Sequence, residues 1–240
     1  MCKECGCSLQ TPTQVSLEEE KKVLEVFEDI LKHNQEYAKH NREHFEKYNI
    51  FSINLMSSPG AGKTTLLEKT INSLKNTFKI GVIEGDLETE KDAERIRKTG
   101  VPVYQITTGT ACHLDAILVH KALHHLPLKD IDLLFIENVG NLVCPANYDL
   151  GTHLNITLLS IPEGDDKPEK YPLAFKNSQL VLITKIDLLP YFEFDVEKVK
   201  ESIKKINPSA EIVMLSAKTG EGFENWINFI TKQINNSKTS

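Results

Sequence analysis

The sequence predicts an α/β protein with a doubly wound, mostly parallel sheet flanked by helices. Three observations support this fold class. Short β-rich segments alternate with helical segments from about residue 50 onward. Some of these segments, such as Leu180–Ile183, are apolar without interruption, which indicates strands buried on both faces. A glycine-rich loop lies between the first predicted strand and the helix that follows it.

The composition indicates an ordinary soluble protein. The chain has 240 residues, of which 40% are hydrophobic and 26% are charged, and its formal net charge is −6. An acidic balance argues against a nucleic-acid partner, which would select a basic face. The sequence contains no apolar run of membrane-spanning length and no apolar segment of a secretory signal. We therefore expect a cytoplasmic protein without nucleic-acid or membrane partners.

The sequence divides into four predicted segments. Residues 1–15 form a cysteine-rich metal-binding tail, and residues 16–48 form a helical segment. This helix begins with a capping box made by Ser16 and Glu19, and its apolar residues recur at helical spacing. Residues 49–236 form the α/β domain, and residues 237–240 form a polar C-terminal tail.

The elements of the α/β domain follow from the alternation. The predicted strands are Phe51–Met56, Ile80–Glu84, Val103–Ile106, Ile131–Ile136, Asn155–Leu159, Leu180–Thr184 and Ile212–Leu215. The predicted helices lie near residues 63–75, 89–99, 111–125, 195–206 and 221–234. The segment Pro162–Pro172 contains a glycine and many charged residues, and it is predicted to be an exposed loop.

The glycine-rich loop predicts a nucleotide triphosphate site and a P-loop NTPase fold. Two glycines let the backbone N–H groups face the phosphates, Lys63 reaches the β- and γ-phosphates, and the Thr64 hydroxyl binds Mg²⁺. Ser57 stands where the usual pattern has its first glycine. The predicted nucleotide-binding residues of the loop are Pro59, Gly60, Ala61, Gly62, Lys63, Thr64 and Thr65.

Two later motifs favour guanine. Thr184-Lys185-Ile186-Asp187 resembles the Asn-Lys-x-Asp box of GTPases, with threonine in place of asparagine. The Asp187 carboxylate can accept hydrogen bonds from guanine N1–H and the 2-amino group, a pair of donors that adenine lacks. Ser216, Ala217 and Lys218 follow the last predicted strand and resemble the second guanine-contacting motif. An ordinary strand end with solvated charges is the alternative explanation.

Two acidic residues are candidates for the metal and phosphate end of the site. Asp86 and Glu137 stand at the carboxyl ends of predicted strands, where a doubly wound sheet binds its ligands. Both can hold Mg²⁺ directly or through water, and Gly140 can approach the γ-phosphate. We assign Lys63, Asp86 and Glu137 as catalytic residues. The alternative is that the two carboxylates are exposed loop residues. No arginine obviously follows the phosphate loop, so slow GTP hydrolysis is expected.

Cysteines predict two further metal sites. Cys2, Cys5 and Cys7 place three soft ligands in a short tail, which suits nickel, zinc or copper(I). A zinc knot and three free thiols are the alternatives. Cys112 and His113 open a predicted helix, and Cys144 lies in the loop after Glu137. Three ligands are few for a structural site, but a two-fold dimer could bring two sets together.

Two histidine pairs are interpreted more simply. His40 and His44 lie one turn apart on the first helix, and His120 and His124 lie one turn apart on a later one. Neither pair has a neighbouring carboxylate or thiol in the pattern, so both are predicted to be solvated helix faces.

The motifs together resemble the hydrogenase nickel-incorporation GTPases. The resemblance covers nearly the whole chain and is carried by the Cys2-x-x-Cys5-x-Cys7 start, the phosphate loop, Gly85–Thr89 with Asp92–Arg95, Cys112–Asp115, Glu137–Pro145 and Lys185–Leu188. It implies a GTP-driven metallochaperone that helps deliver nickel to the large subunit of a [NiFe] hydrogenase. It also implies a GTP-dependent homodimer, a nickel or zinc site at Cys112, His113 and Cys144, a separate N-terminal nickel site, and other maturation proteins as partners.

Two other functions remain possible explanations of the motifs. A related maturation GTPase for urease or for a cobalamin-dependent mutase explains the nucleotide motifs but not the N-terminal thiols. A metal-binding or storage protein with a vestigial GTPase is the other, and measured GTP hydrolysis separates it from the first two. The sequence contains no long histidine-rich tract, which argues against bulk nickel storage.

Overall fold

The computed structural model describes residues 17–86 and 91–239. Its contacts divide the chain into two units, Met1–His33 and Asn34–Ser240. The described part of the first unit belongs to a long helix, α1 (Leu17–Tyr48), whose remainder from Asn34 belongs to the second unit. The predicted end of this helix at Tyr48 is confirmed, whereas its predicted first residue, Ser16, lies outside the described residues.

The second unit contains a seven-stranded parallel sheet in the order β3-β2-β4-β1-β5-β6-β7. The strands are β1 (Phe51–Ser57), β2 (Ile80–Asp86), β3 (Val103–Thr107), β4 (Leu133–Glu137), β5 (Leu154–Ser160), β6 (Leu180–Thr184) and β7 (Glu211–Leu215). The helices after α1 are α2 (Lys63–Leu74), α3 (Lys91–Arg97), α4 (Ala116–Leu123), α5 (Lys167–Lys170), α6 (Pro172–Lys176), α7 (Val196–Ile206) and α8 (Phe223–Thr239). The predicted fold class is confirmed.

The core lies on both faces of the sheet, as the apolar strands require. All residues of β1, β4 and β6 are buried. On one side the strands pack against apolar residues of α2 and α8, including Trp226, whose Nε1–H donates to Thr70 Oγ1 at 2.8 Å. Helix α4 and Phe45 of α1 contribute to a second cluster, and α6 and α7 to a third. This arrangement brings the carboxyl ends of β1, β2, β4 and β6 to one edge.

Several predicted elements differ from the structure in their bounds. Helix α8 continues to Thr239, through most of the segment that was predicted to be a polar C-terminal tail. The helix predicted for 111–125 begins only at Ala116, because the side chain of Asp115 accepts a hydrogen bond from Leu118 N and caps the helix there. Cys112 and His113 therefore lie in the preceding loop rather than in the first turn. Strand β4 begins at Leu133, two residues later than predicted, after a 3₁₀ turn at Leu128–Asp130.

The segment predicted to be an exposed loop is partly helical. Ile161–Glu163 forms a 3₁₀ turn in which Ser160 and Glu163 make a capping box, and α5 follows at Lys167–Lys170. Within the predicted segment Pro168 is buried, whereas Pro162, Glu169, Lys170 and Pro172 are exposed. The prediction of an exposed loop is therefore correct only in part, because the many charged residues gave no sign of the helical turns.

Candidate functional site

The phosphate loop joins β1 to α2 at the centre of the sheet. Gly60 and Gly62 have φ angles of 77° and 97°, values that strain any residue with a side chain. The Lys63 ammonium group is buried and donates to Ser57 Oγ at 2.8 Å. Burial lowers the pKa of Lys63, and the nearby Glu137 partly offsets that effect. Ser57 thus provides a side-chain hydroxyl as acceptor for the lysine, which the usual glycine lacks.

Two buried carboxyl groups lie beside the loop on neighbouring strands. Glu84 of β2 and Glu137 of β4 are paired in the sheet register and are 2% and 4% exposed. Glu137 Oε1 accepts a hydrogen bond from Thr64 Oγ1 at 2.8 Å. Glu137 Oε2 and Glu84 Oε2 have no hydrogen-bond partner among the described residues. These unpartnered oxygens are able to accept a cation or a water molecule.

Burial raises the pKa of both carboxyl groups. The pKa of Glu84 rises to about 8, through desolvation first and repulsion from Glu137 second. The pKa of Glu137 rises to about 7 through desolvation, although Lys63 and the Thr64 hydrogen bond lower it. The alternative that Asp86 and Glu137 are exposed loop residues is wrong: Glu137 is the buried last residue of β4, and Asp86 is the half-buried last residue of β2.

A cavity of about 410 Å³ lies over the loop. Its lining includes Lys63, Thr64, Thr65, Glu84, Asp86, Asp92, Arg95, Glu137, Gly140 and Lys185. Arg95 belongs to a segment that carries the family resemblance, but it was not predicted to be a site residue because it follows the second strand rather than the phosphate loop. Its guanidinium group donates to Thr65 Oγ1 at 3.1 Å and forms ion pairs with Glu68 and Asp92. An arginine is therefore present at the phosphate end, held by acidic neighbours.

A second cavity, of about 260 Å³, lies at the predicted guanine end. Thr184, Lys185, Asp187, Ser216, Ala217 and Lys218 line it. The Thr184 hydroxyl donates to Ala61 O at 2.8 Å, and Lys185 Nζ donates to Gly60 O at 2.6 Å. Threonine can therefore support the phosphate loop in place of the usual asparagine. Asp187 Oδ1 is buried and has no hydrogen-bond partner among the described residues, so it is available to a ligand's donors.

The two cavities form one cleft. Gly62, Thr65 and Lys185 line both, so the phosphate end and the predicted base end are adjacent. The loop after β7 is held in place at the base end, because Ser216 Oγ accepts from Thr219 N at 3.1 Å and Ala217 O accepts from Lys69 Nζ at 3.0 Å. A nucleotide with its phosphates on the loop would point its base towards Asp187.

Cys112, His113 and Cys144 come together as the sequence predicts. One ligand atom from each lies within 4.8 Å of the others. Both cysteines are free thiols, and their sulfur atoms are 2.7 Å apart. The hydrogen bond with Cys112 and burial raise the pKa of the Cys144 thiol. Two thiolates on one tetrahedral zinc lie about 3.8 Å apart, so a bound ion would require the sulfurs to separate by about 1 Å.

A buried asparagine connects this cluster to the phosphate end. Asn138 directly follows Glu137, and its Oδ1 accepts from Leu114 N and from Val139 N, both at 3.0 Å. Leu114 directly follows His113, and Asn138 N donates to Leu55 O at 3.0 Å in β1. One side chain therefore holds the start of the loop that carries Cys144 against the loop that carries Cys112 and His113. Asn138 lies in the Glu137–Pro145 motif, but its role was not predicted from the sequence because its partner Leu114 is distant along the chain.

Other predicted residues divide into two groups. Cys2, Cys5 and Cys7 lie outside the described residues, so their metal site stays a prediction. The prediction that the two histidine pairs are solvated faces is wrong for His44 and His120, which are half-buried. Together with His124 they form a second group of possible metal ligands.

Comparison with known proteins shows the family of this chain. A family model described as the CobW/HypB/UreG nucleotide-binding domain matches residues 51–214. The chain is 49% identical over 214 residues to the hydrogenase maturation factor HypB of Escherichia coli K12, covering 89% of this chain and 74% of that protein. This chain belongs to the HypB family.

Further relatives extend this assignment over nearly the full described chain. A probable hydrogenase maturation factor HypB of Methanocaldococcus jannaschii is 48% identical over 216 residues, covering 90% of this chain and 98% of that protein. The crystal structure of Helicobacter pylori HypB in complex with nickel superimposes with a TM-score of 0.81 at 45% identity, covering 85% of this chain and 96% of that one. In the described ranges 17–86 and 91–239, none of the helices has the length and hydropathy of a membrane span.

Proposed function

We propose that this chain is a GTP-hydrolysing nickel metallochaperone that helps insert nickel into the large subunit of a [NiFe] hydrogenase. The observation that carries the proposal is the contact made by Asn138. It joins the loop after the phosphate-sensing Glu137 to the loop with Cys112 and His113. A nucleotide site and a soft metal site linked in this way suit a protein that binds and releases a metal in a nucleotide-dependent manner.

The unpartnered Asp187 Oδ1 supports GTP as the substrate. A carboxylate there can accept both donors of the guanine edge, and a buried acceptor left unpaired with another base costs about 1–3 kcal/mol. Lys63 would bind the β- and γ-phosphates, and Gly140 would approach the γ-phosphate. A Cβ added to Gly140 would lie 3.0 Å from Pro59 Cα, a tight contact within the phosphate loop that glycine avoids.

The donor set at the phosphate end fits Mg²⁺. Thr64 would bind the ion, with Asp86 and Glu137 directly or through water, and the unpartnered Glu137 Oε2 supports this assignment. Bound there, the ion would neutralise charge that develops on the phosphates. Arg95 lines the phosphate cavity, but its charge is already balanced by ion pairs with Glu68 and Asp92, which favours slow intrinsic hydrolysis.

Nickel or zinc would bind at Cys112, His113 and Cys144, where thiolate and imidazole ligands suit both ions. Burial lowers the pKa of His113, which favours the neutral imidazole that metals bind. The three ligands leave an open position, which a second copy of the chain could fill in a GTP-dependent homodimer. The tail with Cys2, Cys5 and Cys7 would provide a separate nickel site, and other maturation proteins and the hydrogenase large subunit would be the cytoplasmic partners.

The test compares metal affinity in two nucleotide states. In the full chain with Cys2, Cys5 and Cys7 replaced by serine, nickel affinity is measured with a non-hydrolysable GTP analogue and with GDP, and the dimer fraction is measured in parallel. We expect affinities that differ on the order of tenfold, as typical couplings of about 1–3 kcal/mol predict. By reciprocity, nickel should change the affinity for the two nucleotides by the same ratio.

Two variants separate coupling from folding. Cys112→Ala should abolish the dependence of nickel binding on the nucleotide while GTP binding stays nearly unchanged. His125→Ala is the matched control, because His125 stacks on Tyr104 at 4.6 Å and lies outside the Cys-His-Cys group. Identical nickel affinities in both nucleotide states, with no change in dimer fraction, would refute the proposed mechanism.

A further inference from the structure

A second group of possible ligands lies at the junction of α1 and α4. His44 belongs to α1, His120 belongs to α4, and His124 directly follows the last residue of α4. One ring nitrogen from each of the three lies within 4.8 Å of the other two. The ring centroid of His44 lies 5.2 Å from that of His120 and 5.5 Å from that of His124. The two helices are far apart in sequence, so the group exists only because the helices pack together.

The hydrogen bonds of Asn41 fix the tautomer of His120. Asn41 Nδ2 donates to Ala116 O at 2.9 Å and to Leu150 O at 3.0 Å, so its Oδ1 must face His120 as an acceptor. His120 Nδ1 lies 3.2 Å from that oxygen and therefore carries the proton. The lone pair of neutral His120 is then on Nε2, which faces His124. A buried acceptor that orients a histidine in this way is the usual outer partner of a metal ligand.

The spacing of the His120 and His124 nitrogen atoms matches that of two ligands of a tetrahedral metal ion. Two imidazole nitrogens bound at about 2.05 Å to such an ion lie about 3.3 Å apart. The Nε2 atoms of His120 and His124 are 3.4 Å apart, which is long for a hydrogen bond between them. His44 Nδ1 is buried and has no hydrogen-bond partner in the described part of the chain, so no hydrogen bond there offsets the burial of this nitrogen atom.

The local charges favour neutral imidazoles. Burial lowers the pKa of His44 and of His120, and the neighbouring histidines and Lys47 lower the pKa of His44 further, while Glu43 opposes them. Neutral imidazole is the form that binds metals. His40, Glu43 and Lys47 line the surface depression that His44 and His120 also line, so a water molecule, the His40 imidazole or the Glu43 carboxylate can complete the coordination.

We propose that His44, His120 and His124 bind one divalent transition-metal ion, nickel(II) or zinc(II), which links α1 to α4. Three nitrogen ligands select these borderline ions over Mg²⁺ or Ca²⁺. The site goes beyond the proposed function and does not depend on it, because it contains none of the cysteines and none of the nucleotide ligands. A metal bound here would stabilise the packing of the two helices.

The experiment uses the full chain, without a histidine tag, in which all five cysteines are replaced by serine. Equilibrium dialysis against nickel(II) and, separately, zinc(II) measures the remaining binding, and thermal unfolding with and without metal measures the link between helices. We expect one bound equivalent of metal and a higher Tm with metal. Zinc-edge X-ray absorption should show imidazole nitrogen and no sulfur as ligands.

His124→Asn in the same background is the deciding variant, because His124 is exposed and its loss should not affect folding. It should weaken metal binding by about tenfold or more and remove the metal-dependent rise in Tm. His125→Asn, one residue further along, should bind metal like the parent. His44→Asn, with folding checked by circular dichroism, should behave like His124→Asn. The proposal is overturned if the cysteine-free chain binds no metal, or if His124→Asn and His125→Asn bind it equally.

Discussion

Replacing Glu84 by glutamine tests the electrostatics of the phosphate end. Glu84 is 2% exposed, lies beside Glu137 in the sheet, and has one carboxyl oxygen without a partner among the described residues. Glutamine has nearly the same shape but cannot ionise. The variant therefore removes the cost of a buried charge without opening a cavity.

The magnitude follows from the raised pKa. Burial raises the pKa of Glu84 from its ordinary value of 4.5 to about 8, so the folded state binds more protons than the unfolded state between these pH values. With respect to this group, the stability of the parent is therefore highest below about pH 4.5 and falls as the pH rises towards 8. Between pH 5 and pH 7 the loss amounts to about 2.5 kcal/mol. Glu84→Gln should not lose this stability.

Urea unfolding at pH 5, 6 and 7 measures the effect. The difference in free energy of unfolding between Glu84→Gln and the parent should grow in favour of the variant by about 2 to 3 kcal/mol over this range. Glu94→Gln on the exposed side of α3 is the control and should stay within about 0.5 kcal/mol of the parent at every pH. A difference that does not change with pH would show that Glu84 is not held neutral.

Three further predictions concern the sites. Asp187→Asn should weaken GTP binding by about ten- to a hundredfold and improve xanthine nucleotide binding in competition assays, whereas ATP should not compete with GTP for the parent. Lys63→Ala should lower the GTP hydrolysis rate by about 10²-fold or more in a phosphate-release assay, and a rate like that of the parent would contradict the assignment. Deleting residues 1–8 should remove one tight metal site in a metal titration and leave the hydrolysis rate unchanged; retention of every tight site would contradict the tail assignment.

The strands could be predicted well because a buried strand is a run of consecutive apolar residues. Leu180–Thr184 was predicted with its exact bounds, since five buried positions between polar neighbours permit little else. The helix after β3 was predicted too long at both ends. Its pattern of apolar residues continues before Ala116, and only the cap made by Asp115 marks where the helical hydrogen bonds begin.

The nucleotide loop and the Cys-His-Cys group were found because each depends on residue types at characteristic positions. The contacts that could not be predicted from the sequence join residues far apart along the chain. Asn138 reaches Leu114, and His44 meets His120, only after the helices and loops have packed. Such contacts depend on the angle and register of packing, which neither periodicity nor composition encodes.

The asparagines of α1 bear on how shortened forms of this protein should be designed. The Asn34 amide donates to Asp149 O at 2.8 Å and accepts from Ala116 N at 2.8 Å, and the Asn41 amide also bonds to Ala116 O. The family model begins at residue 51, which invites a fragment that starts there. Such a fragment would leave both backbone groups of Ala116 without these partners, three residues after His113.

It would also lose Phe45, which is fully buried in the parent, and uncover the apolar surface that this side chain contacts. A fragment that begins before Asn34 keeps these contacts. Metal affinities measured on the shorter fragment would therefore reflect a disturbed Cys112–His113 loop. Fragments made for metal-binding studies should begin before Asn34, so that both asparagines of α1 are kept.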